Sequence, residues 1–314
     1  GFQPDFVWVK GRNYAYNNVM SDSVRGEKQI YSNLNNSQDS NSEEITSFDA
    51  DGFTVGTGGD VNYNTRTFVG WCWKAGTTTG IAGSPSITPT GYSFNQTAGF
   101  SIIEYSGNAT SGATIPHGLG VKPDLVIIKN LAAAQNWGMY YSPLGATKYL
   151  RLNMATAGGT STGFWNDTEP TTTLVSLGDE AIVSGSGNAQ IAYCFANKKG
   201  YLKVGEYTGN NNVDGPFVYT GFRPAYVMIK NFSTTDTAVT MDSKRDGYNL
   251  GNQLLSPTET YVEQDPAYGV DLLSNGFKCR RNDGWTNGSG NTMVYIAIAE
   301  FPLVSSNSKA GTAR

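Results

Sequence analysis

The chain has 314 residues, 39% of them hydrophobic and 15% charged, with 22 basic against 26 acidic side chains and a formal net charge of −4. That apolar content supports several compact units with real cores and argues against a disordered chain. An acidic balance with no basic run longer than a pair lacks the footprint of a nucleic-acid binder. Apolar stretches such as Phe6-Val7-Trp8-Val9 and Ile296-Ala297-Ile298-Ala299 fall well short of the roughly 20 residues of a spanning helix. Membrane insertion is not expected, and the first residues do not read as a secretory leader.

Thirty-eight Gly, 18 Tyr, 14 Phe and 6 Trp, with many Asn, Ser and Thr, favour strands joined by tight turns over helices. A single histidine, His117, leaves one candidate base for a nucleophilic triad and rules out a His-rich metal site. No cofactor is expected.

In chain order, the first element is Gly1-Phe2-Gln3-Pro4-Asp5-Phe6-Val7-Trp8-Val9-Lys10. It aligns without gaps on Gly120-Val121-Lys122-Pro123-Asp124-Leu125-Val126-Ile127-Ile128-Lys129 and on Gly221-Phe222-Arg223-Pro224-Ala225-Tyr226-Val227-Met228-Ile229-Lys230. Glycine makes a turn, proline starts a strand where a missing N–H is tolerated, a bulky apolar run follows, and lysine is expected to return to solvent. An uninterrupted run of this kind predicts a strand covered on both faces.

After each copy comes a polar turn (Ser21-Asp22-Ser23, Tyr141-Ser142-Pro143, Met241-Asp242-Ser243). A turn into a strand follows at Asp51-Gly52-Phe53 and Asn275-Gly276-Phe277, without a clean counterpart in the middle copy. Each copy closes on a β-rich run: Phe68 to Trp73, Ile191 to Phe195 and Val294 to Ile298. A leading strand recurs as Glu104-Tyr105-Ser106-Gly107-Asn108 and Glu206-Tyr207-Thr208-Gly209-Asn210. No copy of it stands before Gly1, so the sequence is expected to begin inside a unit.

A period on the order of 100 residues is that of a domain-sized module, and turn signals every 8 to 12 or so residues suit a sandwich. The expected fold is all-β, tandem jelly-roll-like β-sandwich modules, three related units with the first incomplete. The expected boundaries are 1–76, a linker or arm at 77–97, then 98–198, 199–305 and a polar tail at 306–314. A β-propeller is the alternative, although its blades are about half this period.

Five blocks together resemble a family of bacteriophage virion proteins of the tail-fibre or receptor-binding type, found in tailed phages of marine and freshwater bacteria. They are GFxPDxVxxK at the start, NQTAGFSIIEYSGN at 95–108, IPHGLGVKPDLVIIKN at 115–130, GEYTGNNNVDGPFVYTGFRP at 205–224 and IAIAEFPLVSS near the end. The resemblance implies a non-enzymatic structural role on the virion, assembly in the host cytoplasm and a homotrimeric state. It also implies contacts with other virion proteins and with a host cell-surface glycan or protein. A capsid decoration or head-fibre protein and a polysaccharide-depolymerising tailspike are the rival readings. No catalytic motif is carried over.

Individual residues mostly read as scaffold. His117, in Ile115-Pro116-His117-Gly118, is expected to bond backbone in a turn. Cys72, Cys194 and Cys279 are expected as small buried hydrophobes in separate cores, neither disulfides nor metal ligands. Carboxylate pairs for glycosidic cleavage (Glu43-Glu44, Asp49 with Asp51, Asp179-Glu180, Glu263 with Asp265) lie in turn-rich sequence. Glu104 and Glu206 recur between copies, as a fold requirement would. Asp49 to Gly52 and Asn210 to Gly215 are oxygen-rich but read as turns rather than calcium loops. The glycan-contact candidates are Trp165, Asn166 and Asp167 in one loop and Trp285 and Asn287 in another, with Tyr14 and Tyr16 weaker, because a flat ring stacks on a sugar while amides bond its hydroxyls.

Overall fold

The computed structural model describes residues 1–40, 43–246, 249, 251–264 and 269–299. Among them are 22 strands, antiparallel wherever they pair, and five single-turn helices, so the fold is all-β in the sandwich class. The first unit runs β1 (Phe6–Gly11), β2 (Val19–Asp22), β3 (Gly26–Tyr31), β4 (Ile45–Asp49), β5 (Gly52–Val55), α1 (Gly59–Asn62) and β6 (Phe68–Trp73). The middle unit starts with β7 (Gly91–Asn95), β8 (Phe100–Ser106), β9 (Ala113–Pro116), β10 (Leu125–Asn130) and β11 (Gly138–Tyr141). It continues with β12 (Lys148–Arg151), β13 (Gly159–Thr160), α2 (Thr162–Trp165), β14 (Leu174–Leu177), α3 (Ala181–Ser184) and β15 (Ala189–Phe195). The last unit comprises β16 (Leu202–Thr208), β17 (Phe217–Tyr219), β18 (Pro224–Asn231), β19 (Val239–Asp242), α4 (Ser243–Asp246), β20 (Val270–Leu273), β21 (Gly276–Cys279), α5 (Gly284–Asn287) and β22 (Thr292–Ala299).

Three large sheets share one plan. Their orders are β3-β2-β1-β6, β13-β12-β11-β10-β15-β8-β7 and β16-β22-β18-β19. In each, the apolar run (β1, β10, β18) lies between the strand after it and the closing strand. A small second sheet accompanies each: β4-β5, β9-β14 and β17-β21-β20. β14 pairs with β9 as β21 pairs with β17, so it is the middle unit's counterpart of the turn-and-strand element that its sequence hides. Within the segment expected as a connecting arm, β7 pairs with β8. The expected tail at 306–314 lies outside the described residues.

The apolar runs are covered on both faces, as their composition requires. Phe6 and Trp8, Leu125 and Ile127, Tyr226 and Met228 all enter one central core shared by the three units. The alternate residues Val7 and Val9, Val126 and Ile128, Val227 and Ile229 enter three separate outer cores between each large sheet and its small one. The centre is almost solid: the void among Phe6, Trp8, Ile127, Tyr226 and Met228 is about 20 Å³.

The lysines that end the runs do not return to solvent. Lys10, Lys129 and Lys230 are buried, each reaching a backbone carbonyl of another unit. Lys10 Nζ donates to Glu259 O (3.2 Å), Lys129 to Asn35 O (3.2 Å) and Lys230 to Met154 O (2.7 Å), so first contacts last, middle contacts first and last contacts middle. This closes a cycle. The interfaces themselves differ. Asp22 and Arg25 of the first unit bond each other (2.6 Å), and the Tyr193 hydroxyl of the middle unit donates to Asp22 (2.7 Å). Asp242 and Arg245 of the last unit pair likewise (2.7 Å), and Asp242 accepts from the Trp71 indole of the first at 3.2 Å. At the third interface the corresponding positions are Tyr141 and Ile296, both in the central core.

Burial pulls all three lysines down to about 8, with Asp60 and Glu259 opposing the shift at Lys10 and Asp236 and Glu259 at Lys230. The unfolded value is near 10.4, so between these limits the unfolded chain holds protons the folded one has released, and stability rises with pH. Burial raises Tyr105, Tyr193 and Tyr226 above the usual tyrosine range, so beyond about pH 10 the folded state keeps protons the unfolded chain loses, and stability falls. Burial raises the Cys72, Cys194 and Cys279 thiols too, which opposes the lysines from about pH 8.5, so urea midpoints should climb only from about pH 8 to 9 and drop above it. A steady decline from pH 8 would contradict the buried ammonium groups.

Candidate functional site

His117 and the three cysteines are held in structural roles. His117 is buried; its Nε2 faces the Thr171 carbonyl at 3.3 Å, and the Leu119 N–H donates to Nδ1 at 3.3 Å. That pair of bonds fixes a neutral ring with the proton on Nε2. The three cysteines are free thiols distributed over three outer cores, and burial pushes Cys72 up to about 11 and Cys194 and Cys279 up to about 12. Among the described residues no group of three His, Cys, Asp or Glu could hold a metal ion, and no helix is long and apolar enough to cross a membrane.

Asp49 and Glu263 behave likewise. Asp49 accepts from Ser47 and Thr54 across its hairpin (2.9 and 2.7 Å). Glu263 is clamped by Arg12 at 2.8 Å and Arg245 at 2.5 Å between the first and last units, while Asp265 lies outside the described residues. Glu44 is buried, and burial followed by the charge of Asp60 pushes it up to about 7. Glu104 and Glu206 take the same register position, opposite Ile191 and Val294. Asp179 and Glu180 are exposed just before α3. The Asn210 loop is a chain of side-chain-to-backbone turns, with Asn210 accepting from the Asn212 N–H (3.0 Å) and Asn212 from that of Asp214 (2.9 Å).

The glycan-contact candidates separate into two places and mostly face inward. Trp165 is 1% exposed, edge-on to Tyr140 with ring centroids 5.8 Å apart, so neither ring face can stack on a sugar. Asn166 and Asp167 follow it in the left-handed region (φ 52° and 47°), where Asn166 caps α2 and accepts from Ser111. Trp285 is half-buried against the last unit's outer core. Asn287 is fully buried, its amide donating to the carbonyls of Asn212 (2.8 Å) and Arg281 (2.9 Å). The loop composition that suggests sugar binding here serves helix capping. Tyr14 and Tyr16 do sit in an exposed aromatic group with Tyr63 and Phe68, and Arg66 lies 4.3 Å over the Tyr14 ring.

The site that the sequence did not single out is a groove of about 620 Å³ where the middle unit passes into the last. The chain makes a tight turn between β15 and β16: Lys198 and Leu202 exchange backbone hydrogen bonds, and Gly200 sits at φ +75°. That turn sets Lys198, Lys199 and Lys203 along one wall. Opposite are Asn275 and Tyr219, the latter 65% exposed on β17. Among the described residues no carboxylate pairs with any of the three lysines. On a net-negative chain this concentrates positive charge beside an open ring. The Lys198-Lys199 pair was the visible signal, and its weakness is that paired lysines are common on surfaces.

Burial pulls His117 down to about 4, against about 6.5 unfolded. As pH falls through that window the unfolded chain gains a proton the folded one refuses, and stability is lost. In His117→Gln the stability lost between pH 7 and 4 should shrink by about 3 kcal/mol in urea titrations, from a shift of two to three pKa units. An unchanged loss would contradict the buried neutral ring.

No curated protein and no solved structure matches the chain. The family model described as a domain of unknown function, DUF7483, matches residues 1–302, and the chain belongs to that family.

Proposed function

We propose that this chain is a non-enzymatic structural protein of a phage virion, a tail-fibre or receptor-binding component that assembles in the host cytoplasm and attaches to the host surface. It works as a homotrimer alongside other virion proteins. Its contact with the host is an anionic surface glycan held in the Lys198–Tyr219 groove. The reading is supported by the five-block resemblance and by the way His117, the cysteines, Asp49 and Glu263 are engaged in the fold. The observation that carries it is the groove, where three lysines without carboxylate partners among the described residues stand beside an exposed ring. Such a surface suits an acidic saccharide, with charge attracting it and the ring stacking on a sugar face.

Binding to a soluble uronic-acid polysaccharide, polygalacturonate, tests the groove. The triple change of Lys198, Lys199 and Lys203 to alanine should weaken it by about tenfold, since each exposed ion pair is worth a fraction of a kcal/mol, and Tyr219→Ala by about threefold. Added salt should weaken the parent but not the triple variant. Equal binding by all three proteins would remove the groove from the proposal. Release of reducing ends from host polysaccharide would make the protein a depolymerase instead. Antibody labelling of intact particles in the electron microscope should decorate the tail; labelled heads would point to a capsid decoration protein. Light scattering should give three chains per particle, and a clean monomer at micromolar concentration would overturn the trimer.

A further inference from the structure

Two strands of the first unit lack a neighbour that their counterparts have. Among the described residues β6 pairs only with β1 and β5 only with β4. In the other units β15 lies between β10 and β8 and β22 between β18 and β16, while β14 pairs with β9 and β21 with β17. Burial follows the pairing: β15 and β22 are buried along nearly their whole length, whereas β6 is mostly half-buried with Gly70 exposed, and β5 is half-buried to exposed. Cys72 on β6 is half-buried where Cys194, at the same register position of β15, is fully buried.

The complete units show what such an edge accepts. Lys129 and Lys230 face Ile191 and Val294, opposite which stand Glu104 and Glu206; Lys10 faces Val69. The same register over β6 puts a glutamate opposite Val69 and a tyrosine opposite Phe68. In both complete units that tyrosine hydroxyl donates to the carbonyl of the third residue of a single-turn helix, Tyr105 to Val183 and Tyr207 to Thr286, each at 2.6 Å. The third residue of α1 is Val61. The next glycine lies flat on the end of the helix: a side chain on Gly107 or Gly209 would collide with the carbonyl of Gly185 or Gly288. After it the chain turns back into β9 or β17, the strand that covers the small sheet. A single segment therefore fills both edges at once.

We infer that the open edges of β6 and β5 form one interaction surface for a two-strand polypeptide segment from outside residues 1–314, whose first strand ends in Glu-Tyr-(Ser/Thr)-Gly-Asn and adds antiparallel to β6. The two segments of this type within the chain, ending at Asn108 and Asn210, are engaged in their own units, so a second copy could donate one only by opening its own sheet. Main-chain hydrogen bonds supply the attraction and the tyrosine and glycine supply the register, as in other strand additions.

The test places a copy of residues 98–119 directly before Gly1, where it meets a glycine as the original meets Gly120. A scrambled copy serves as the control. Amide hydrogen exchange in β5 and β6 should slow by about a hundredfold relative to the control, while β15 and β22 stay unchanged. Labelling of Cys72 by a thiol reagent should slow with it. Exchange in β5 and β6 that is the same in both fusions overturns the inference. The unextended chain gives an independent check: β6 amides must exchange faster than those of β15 and β22, and equal protection would show the edge already covered.

Discussion

Everything in this molecule follows from strands that cannot tolerate water on either face. β1, β10 and β18 are apolar at every position of their runs, so a single sandwich, which covers one face of each sheet, leaves the other bare. The small sheets and short helices cover one side. The other side can be covered only by the equivalent face of another unit, and three such faces meet in the core of Phe6, Leu125 and Tyr226. Three units in tandem are thus the number that closes the arrangement, and the hydrophobic driving force for closing it scales with the area each face removes from water.

The buried lysines make that closure specific. An ammonium group away from water needs oxygen partners, and each lysine finds at least one on a neighbouring unit. Lys129 also takes the carbonyls of Asn130 (2.8 Å) and Gln135 (2.9 Å), and Lys10 that of Tyr16 (3.1 Å). Packing of flat apolar faces alone would allow sliding, whereas these directional bonds fix the units against one another. Trp137 does the same from the middle unit, donating its indole N–H to Tyr31 and Leu34 of the first.

The triplication, the doubly covered strands and the separation of the cysteines were legible in the sequence, because they depend on side-chain type at fixed spacing. The fate of Lys10, Lys129 and Lys230 was not: their partners are backbone carbonyls from distant loops, and a carbonyl leaves no mark in the sequence. β14 was hidden for a related reason, since Leu174–Leu177 lacks the Gly-Phe turn that announces β5 and β21. Trp165 and Asn287 illustrate the opposite failure. Aromatic and amide residues in a Gly/Asn-rich loop are what a sugar site needs, and equally what a one-turn helix needs to bury its ring and cap its ends. The groove emerged only when the turn at Gly200 was seen to bring Lys198, Lys199 and Lys203 to face Tyr219.

The three contacts around the ring are not interchangeable. Two pit an aspartate–arginine pair against a hydroxyl or indole donor, while the third sets Tyr141 and Ile296 in an apolar setting. Exchanging two of the units along the gene would lodge a dry ion pair against Ile296 and strip it of its donor, whereas a cyclic reordering of all three would keep every neighbour. The handedness of the cycle is therefore held by electrostatics as well as by shape, because each buried ion pair has a matching donor on only one side.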